Sequence, residues 1–456
     1  MKILLLSTYE LGRQPFGIAS PAAWLRERGH EVVCSDLSRE ILSEQAARDA
    51  SLIGLYVPMH TATRLALELL PTLRRLNSTA HLCAFGLYAA TSREIFHANG
   101  ITGLFSGEYE QALVDLADEL SDPTPASLVQ ATAASDISLA RLRFKVPDRS
   151  GLPPLKSYAH LILPSGEHRT VGYTESSRGC KHHCRHCPVV PIYNGAFRLV
   201  DPEVVLADVR QQVSAGAQHI TFGDPDFFNA VRHAVPIIES LHREFPQLTY
   251  DATIKVEHLR KHADLLPLLR ETGCLFVVSA VESLDDAVLA RLKKNHTREE
   301  FFQVVELFLR ERLALQPTFV SFTPWTTLDS YLDLLAQLKR LDLVESLAPV
   351  QLTIRLLIPA GSRLLELPEV RQIVGDFDAQ SLVYPWSNPD PRVDKLAADL
   401  QAIVTGSEKS KLSRPETFSR IWRAANLAAD RRIELNAMPL IAGRATVPYL
   451  NEPWYC

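Results

Sequence analysis

The chain of 456 residues is short of several things, and each shortage removes a class of protein. No stretch of about 18 consecutive apolar residues occurs, so the sequence offers no membrane span. There is no excess of basic residues: 48 Lys and Arg stand against 53 Asp and Glu, a net charge of −5. That balance gives no electrostatic reason to expect nucleic acid or an anionic membrane surface as a partner. The opening MKILLLSTYE is too short an apolar run for a signal peptide and has no small-residue cleavage site, so it reads as a first β-strand, with the cytoplasm as the expected location. Only seven cysteines are present. In that compartment they argue for thiols and metal ligands and not for a disulfide framework. The turn after the first strand, STYELGRQPFG, lacks G-x-G-x-x-G, so dinucleotide binding is not expected.

What is present is globular. Apolar residues make up 46% and charged residues 22%, and the length calls for two or three structural units. Over residues 1–120, short apolar runs (2–7, 31–36, 52–57, 81–86 and 103–107) alternate with amphipathic helical patterns. Continuous apolar strands between such helices predict a parallel, doubly wound sheet of the Rossmann-like α/β class. Residues 121–170 break the rhythm with Ser, Thr, Ala and Pro and read as a linker. Residues 171–400 resume it, with strands expected at 171–176, 218–223, 250–256, 274–281, 315–322 and 350–357. Asp201-Pro202 marks a helix start, with Asp as cap and Pro at the first helical position. Six βα units in this length predict a partial (β/α)6 barrel, whose ligands belong at the carboxyl ends of the strands. Residues 401–456 read as one helix and an extended tail.

The densest signal is TESSRGCKHHCRHCPVVP, from Thr174. Cys180, Cys184 and Cys187 follow the first strand of the second unit, with Gly179 to turn the chain and Pro188 to end the loop. A closed structural zinc site takes four ligands. His182, His183 and His186 lie between the cysteines, where a tight loop positions a fourth ligand poorly. Three thiolates suit a [4Fe–4S] cluster with one open iron, and zinc or a purely structural thiol set are the alternatives. The C-x3-C-x2-C at the head of a six-fold βα array resembles the radical S-adenosylmethionine (radical SAM) superfamily. The resemblance implies that the open iron chelates S-adenosylmethionine and that reductive cleavage gives a 5′-deoxyadenosyl radical. It also implies an electron donor such as flavodoxin or ferredoxin.

On the same resemblance, Gly223, Asp224 and Asp226 in HITFGDPDFFN would face the amino group of S-adenosylmethionine, and Glu282-Ser283 would lie near its ribose. The plainer readings are a strand-end turn with an Asp cap, and Ser283 as a helix cap. Lys255, at the end of the third strand, joins the cofactor set or is a solvated lysine. Arg355, in an apolar strand, needs a carboxylate from ligand or protein. Tyr193 is a further candidate for the site's lining. Cys34, Cys83 and Cys274 fall in apolar strands and read as core.

The first unit resembles the cobalamin-binding domain that precedes many radical SAM cores. YVPMHTA, AFGLYAA and SGEYEQAL stand at successive strand ends on one edge of the sheet, and GEYE resembles that family's Gly-Glu turn. The resemblance implies cobalamin near Met59, His60, Gly107 and Glu108. One departure is plain: D-x-H-x-x-G, whose His ligates cobalt, is absent from TYELGRQPFG. His60 is then the nearest ligand-capable side chain, Met59 more naturally packs against a ring, and a sheet that binds nothing is the alternative.

Together these readings give an expected function: a radical SAM enzyme, with cobalamin-dependent methyl transfer to an unactivated carbon as its foremost reaction. The alternatives are another radical reaction such as rearrangement or cyclisation, or a non-catalytic iron–sulfur or zinc protein. The substrate is a small molecule or peptide that no motif names, and no catalytic side chain is singled out. Cys456, behind Trp454 and Tyr455, is either an unstructured end or a thiol that reaches the site. In the second case the end resembles radical SAM families that carry a cysteine pair or cysteine-selenocysteine there, a resemblance that would imply a recoded UGA codon after Cys456.

Overall fold

The computed structural model describes residues 1–122, 137–431 and 447–451. Cys456 and part of the Ser/Thr/Ala/Pro segment lie outside these residues.

The first unit is a parallel sheet of β1 (Lys2–Ser7), β2 (Glu31–Asp36), β3 (Leu52–Tyr56), β4 (His81–Phe85), β5 (Gly103–Gly107) and the two-residue β6 (Ile137–Ser138), in the order β2-β1-β3-β4-β5-β6. Side chains alternate along a strand, so a strand covered on both faces must be apolar throughout. In β1, Ile3 and Leu5 enter a core with Ile18 and Ala22 of the helix Phe16–Glu27. Leu4 and Leu6 enter a second core with Ala66 and Leu70 of the helix His60–Leu76. The strand order reverses between the neighbouring strands β1 and β3. In a doubly wound sheet this is where the strand ends part and leave a crevice for ligand.

The second unit is a curled sheet. Five parallel strands, β8 (His168–Thr174), β11 (His219–Phe222), β12 (Thr249–Thr253), β13 (Cys274–Glu282) and β14 (Ala314–Phe319), are edged by β7 (His160–Ile162) and β15 (Tyr449–Leu450), both antiparallel to their neighbours. A small antiparallel pair, β9 (Ser177–Gly179) and β10 (Phe197–Leu199), brackets the cysteine loop. Asp201 caps the helix Pro202–Ser214 by accepting from the Glu203 N–H at 2.9 Å.

Two expectations change. The sixth strand is reduced to a parallel bridge between Phe322 and Arg355, because Pro349–Leu352 forms a 3-10 turn. The side chain of Gln351 accepts the Phe319 N–H at 3.2 Å and so replaces a strand neighbour. The C-terminal region holds two helices, Pro391–Lys409 and Arg414–Ala428, where one was expected. The first starts at Asp390-Pro391, the same cap signature as Asp201-Pro202. Their apolar faces, including Leu396, Leu400, Phe418 and Ile421, join the barrel's core. No helix among the described residues is long and apolar enough to cross a membrane.

Candidate active site

The cysteine loop leaves β9 at Gly179, whose φ of +75° and close approach to Tyr193 exclude a side chain. Cys180 and Cys184 are buried, Cys187 is half-buried, and all three are free thiols. Among the described residues, only His182, Asp226 and His258 bring three ligand atoms within 4.8 Å of one another. Cys184 and Cys180 both lie within electrostatic reach of Cys187. Burial, with a smaller contribution from Cys184 and Cys180, pushes the Cys187 thiol up to about 12, as burial alone does for the core thiol Cys83.

The carboxylates at the strand ends grip this loop. Asp224 is buried and accepts from the Ser176 N–H (3.0 Å), the Ser176 hydroxyl (2.7 Å) and the Ser177 hydroxyl (2.5 Å). Asp226 faces His182 and His258. Burial would raise its carboxyl, but the two imidazoles hold it down to about 2. Glu282, at the end of β13 and at φ +71°, accepts from His186 (3.1 Å) and Lys294 (3.3 Å). Burial opposes its charge, yet Lys294 and His186 bring it to about 2. Ser176, Ser177, His182 and His186 thus meet acids supplied by β11 and β13. Ser283 does not cap the next helix. Its hydroxyl accepts from the Asp285 N–H at 3.0 Å, and Asp285 is the cap.

A second network joins the units. Arg178, 7% exposed, runs from β9 into the first unit. It meets Glu110 (2.7 Å), Glu108 (3.4 Å) and Glu175 (3.0 Å), and donates to Ser20 at 3.2 Å. Tyr193 donates to Glu108 at 3.1 Å. Gly107, at φ +77°, allows β6 to pass, since a Cβ there would overlap the Ser138 carbonyl. Gly223 is also dictated by protein, because a Cβ would overlap the Tyr173 phenol. Burial lifts Glu175 to about 7 even with Arg178 beside it. His60 is half-buried and bonds the Ser381 carbonyl at 2.6 Å through Nε2. Arg355 pairs with Asp394 (2.6 Å) and stacks on Trp386 at 3.6 Å, so its partner is protein.

Some buried groups stay unmatched. Lys255 Nζ makes no hydrogen bond and meets Glu257 at 3.8 Å. Asn229 Nδ2 is unpartnered, while its Oδ1 lies 3.9 Å from Cys180 Sγ. His296 is buried, and burial, then Lys294 and Lys255, depresses its pKa to about 3. Buried polar atoms are rarely left unpaired without a reason such as a ligand. Donors of this kind beside the thiols fit a polar, zwitterionic molecule such as S-adenosylmethionine. Arg178, Glu110, Glu175, Lys294 and His258 were missed by sequence reasoning. The only signal for Arg178 was a charge placed between Ser177 and the Gly179 turn.

The mouth of the first sheet, at its switch point, faces this assembly. A cavity of about 180 Å³ there is lined by Glu10, Arg13, Met59, Leu87, Glu175 and Tyr193, among others. Small-molecule pockets usually run about 300–1,000 Å³. The rings of Tyr56, Phe85 and Tyr109 lie 5.1–6.3 Å apart and fill the strand ends.

With this geometry in place, the comparisons are specific. The family model "Radical SAM superfamily" matches residues 174–322. The chain carries a radical SAM domain. That core spans the cysteine loop, β11 to β14 and the acids that hold the loop, and a radical SAM core implies a [4Fe–4S] cluster and S-adenosylmethionine. Ribosomal protein uS12 methylthiotransferase RimO of Porphyromonas gingivalis (strain ATCC BAA-308 / W83) is 30% identical over 157 residues, 30% of this chain and 33% of that protein. The chain thus matches about a third of the length of the curated relatives. Among solved structures, the cobalamin-dependent S-adenosylmethionine radical enzyme OxsB, with aqua-cobalamin and S-adenosylmethionine bound, superposes with a TM-score of 0.66 at 14% identity, over 94% of this chain and 71% of that one. The radical S-adenosylmethionine methyltransferase TsrM from Kitasatospora setae, with cobalamin and a [4Fe–4S] cluster bound, gives 0.57 at 16% identity, over 75% and 73%. These structural likenesses show a shared fold.

Proposed function

We propose that this protein is an enzyme whose Cys180, Cys184 and Cys187 hold a [4Fe–4S] cluster, with S-adenosylmethionine as the molecule it cleaves. The carrying observation is the thiol triad of Cys180, Cys184 and Cys187 within the matched core, with Asn229 beside Cys180 and the buried Lys255 near it. When bound, that pair of cofactors supplies one-electron cleavage to a 5′-deoxyadenosyl radical. The chain's own contribution is positional. Asp224 fixes the approach to the loop, Glu282 fixes its far side through His186, and Arg178 locks the loop to the first unit. Lys255 offers a cation for a carboxylate, and Asn229 an amide donor. The substrate is a small molecule or peptide, and a flavodoxin- or ferredoxin-like protein supplies the electron.

Cobalamin-dependent methyl transfer is the finer proposal. It is supported by the likeness to OxsB and TsrM and by the position of Met59, Gly107 and the β3 end at the switch-point mouth. Methylthio transfer is a second reading, supported by the sequence match to RimO within the core alone. The test is anaerobic reconstitution with iron and sulfide, cobalt analysis after growth with cobalamin, and assay for 5′-deoxyadenosine under reduction. About four irons per chain and 5′-deoxyadenosine are expected, both lost in Cys184→Ala. Zinc retained in place of iron, with no cleavage, overturns the reading. Iron without cobalt removes the cobalamin component alone.

A further inference from the structure

We propose that His182, Asp226 and His258 bind a divalent transition-metal ion, zinc or ferrous iron, at a site separate from the three thiols. The three side chains come from the cysteine loop, the end of β11 and the helix Val256–Lys261, and all are buried. His182 Nε2 and His258 Nδ1 converge on the same carboxylate oxygen, Oδ2 of Asp226, at 3.3 and 2.7 Å. Ligand atoms about 2.0–2.1 Å from one ion stand about 2.9–3.4 Å apart for angles between 90° and 110°. One contact falls in this range and the other just below it.

The directions matter more than the distances. Both contacts are ion pairs without the alignment of a well-formed ring N–H hydrogen bond. Two imidazole nitrogens and a carboxylate oxygen, buried and directed at one place, form a good ligand set. Two imidazoles and one carboxylate suit first-row divalent ions and leave a position open.

The surroundings support the assignment. The other carboxylate oxygen, Oδ1 of Asp226, accepts the Phe228 N–H at 3.3 Å, which fixes the carboxylate's orientation. Glu257 Oε2 lies 3.7 Å from His182 Nδ1, so a carboxylate stands behind a ligating imidazole, as is usual around bound metals. Lys255 is the opposing charge, and Glu257 at 3.8 Å compensates it. Because His182 sits between Cys180 and Cys184, the ion ties the cysteine loop to two strand ends before any cluster is built. The site uses no thiol, so it stands or falls apart from the cluster.

The experiment titrates Co(II) into the full chain carrying Cys180→Ala, Cys184→Ala and Cys187→Ala, which removes thiolate binding, and follows the visible d–d absorption. One Co(II) per chain is expected, displaced by Zn(II), with affinity weakened by about 100-fold or more when His258→Gln is added. A second measurement keeps the thiols: the cluster-loaded wild-type chain, incubated with Zn(II) and desalted, should retain one zinc beside its four irons. His258→Gln should retain the irons and lose the zinc. No Co(II) binding to the thiol-free chain with no zinc retained by the loaded one, or binding unchanged by His258→Gln, overturns the proposal.

Discussion

Arg178→Ala is the most informative single change. The guanidinium is buried against Glu108, Glu110 and Glu175 and lies over the rings of Phe144 (4.9 Å), Tyr109 (5.5 Å) and Phe16 (5.7 Å). Removing one partner of a buried ion pair costs about 3–5 kcal/mol, because the remaining charge is stranded away from water. Here three carboxylates lose their cation at once. Burial already raises Glu108, and it lifts Glu175 to about 7. A carboxyl whose folded pKa exceeds its unfolded value of about 4.3 binds a proton in the folded state that the unfolded chain has released. Its contribution is therefore favourable at low pH and is lost as pH rises through the folded pKa. Without Arg178 these pKa values rise further. The variant's deficit should approach about 3–5 kcal/mol at pH 8 and shrink at pH 5.5, where the glutamates can be neutral. Urea unfolding of the cluster-free chain, followed by tryptophan fluorescence at both pH values, measures this. A deficit under about 1 kcal/mol at pH 8, typical of solvated pairs, or one equal at the two pH values, would refute the buried-network account. Arg178→Lys should recover only part of the loss, since a single ammonium cannot serve three directions.

Gly223→Ala should cost about 1–3 kcal/mol by overlap with the Tyr173 ring, and Tyr173→Leu in the same chain should restore part of it, as read by thermal unfolding. Asp224→Asn should cost about 1–3 kcal/mol, since its three donors lose a charged acceptor. It should also speed the loss of iron to a chelator after reconstitution. An unchanged rate would mean that the 176–177 segment does not control the loop.

Much of this protein was legible in the sequence. Five of the six strands of the first sheet and the parallel strands of the barrel follow from apolar runs broken by helical periodicity, which is local information. The three cysteines were legible because their chemistry depends on spacing within eight residues. Asp201-Pro202 predicted a helix start, and Asp390-Pro391 carried the same signal.

The partners of the acids were decided by tertiary structure. Spacing places Asp224, Asp226 and Glu282 at the ligand-binding end of the barrel, as expected. It does not say that their oxygens would meet Ser176, Ser177, His182 and His186. Each of those contacts joins residues dozens of positions apart, and the curl of the sheet brings them together. Glycines show the same division. Gly107 and Gly223 were expected beside cobalamin and S-adenosylmethionine, and the groups that exclude a side chain at them are a strand and a tyrosine of the chain itself. Arg178 and its three glutamates become a unit only when the two domains dock, because burial sets both their pairing and their protonation. Periodicity and spacing determined the elements and the thiol triad, since both are properties of neighbouring residues. Which charges share a low-dielectric interior depends on packing between distant segments, and only the folded chain decided that.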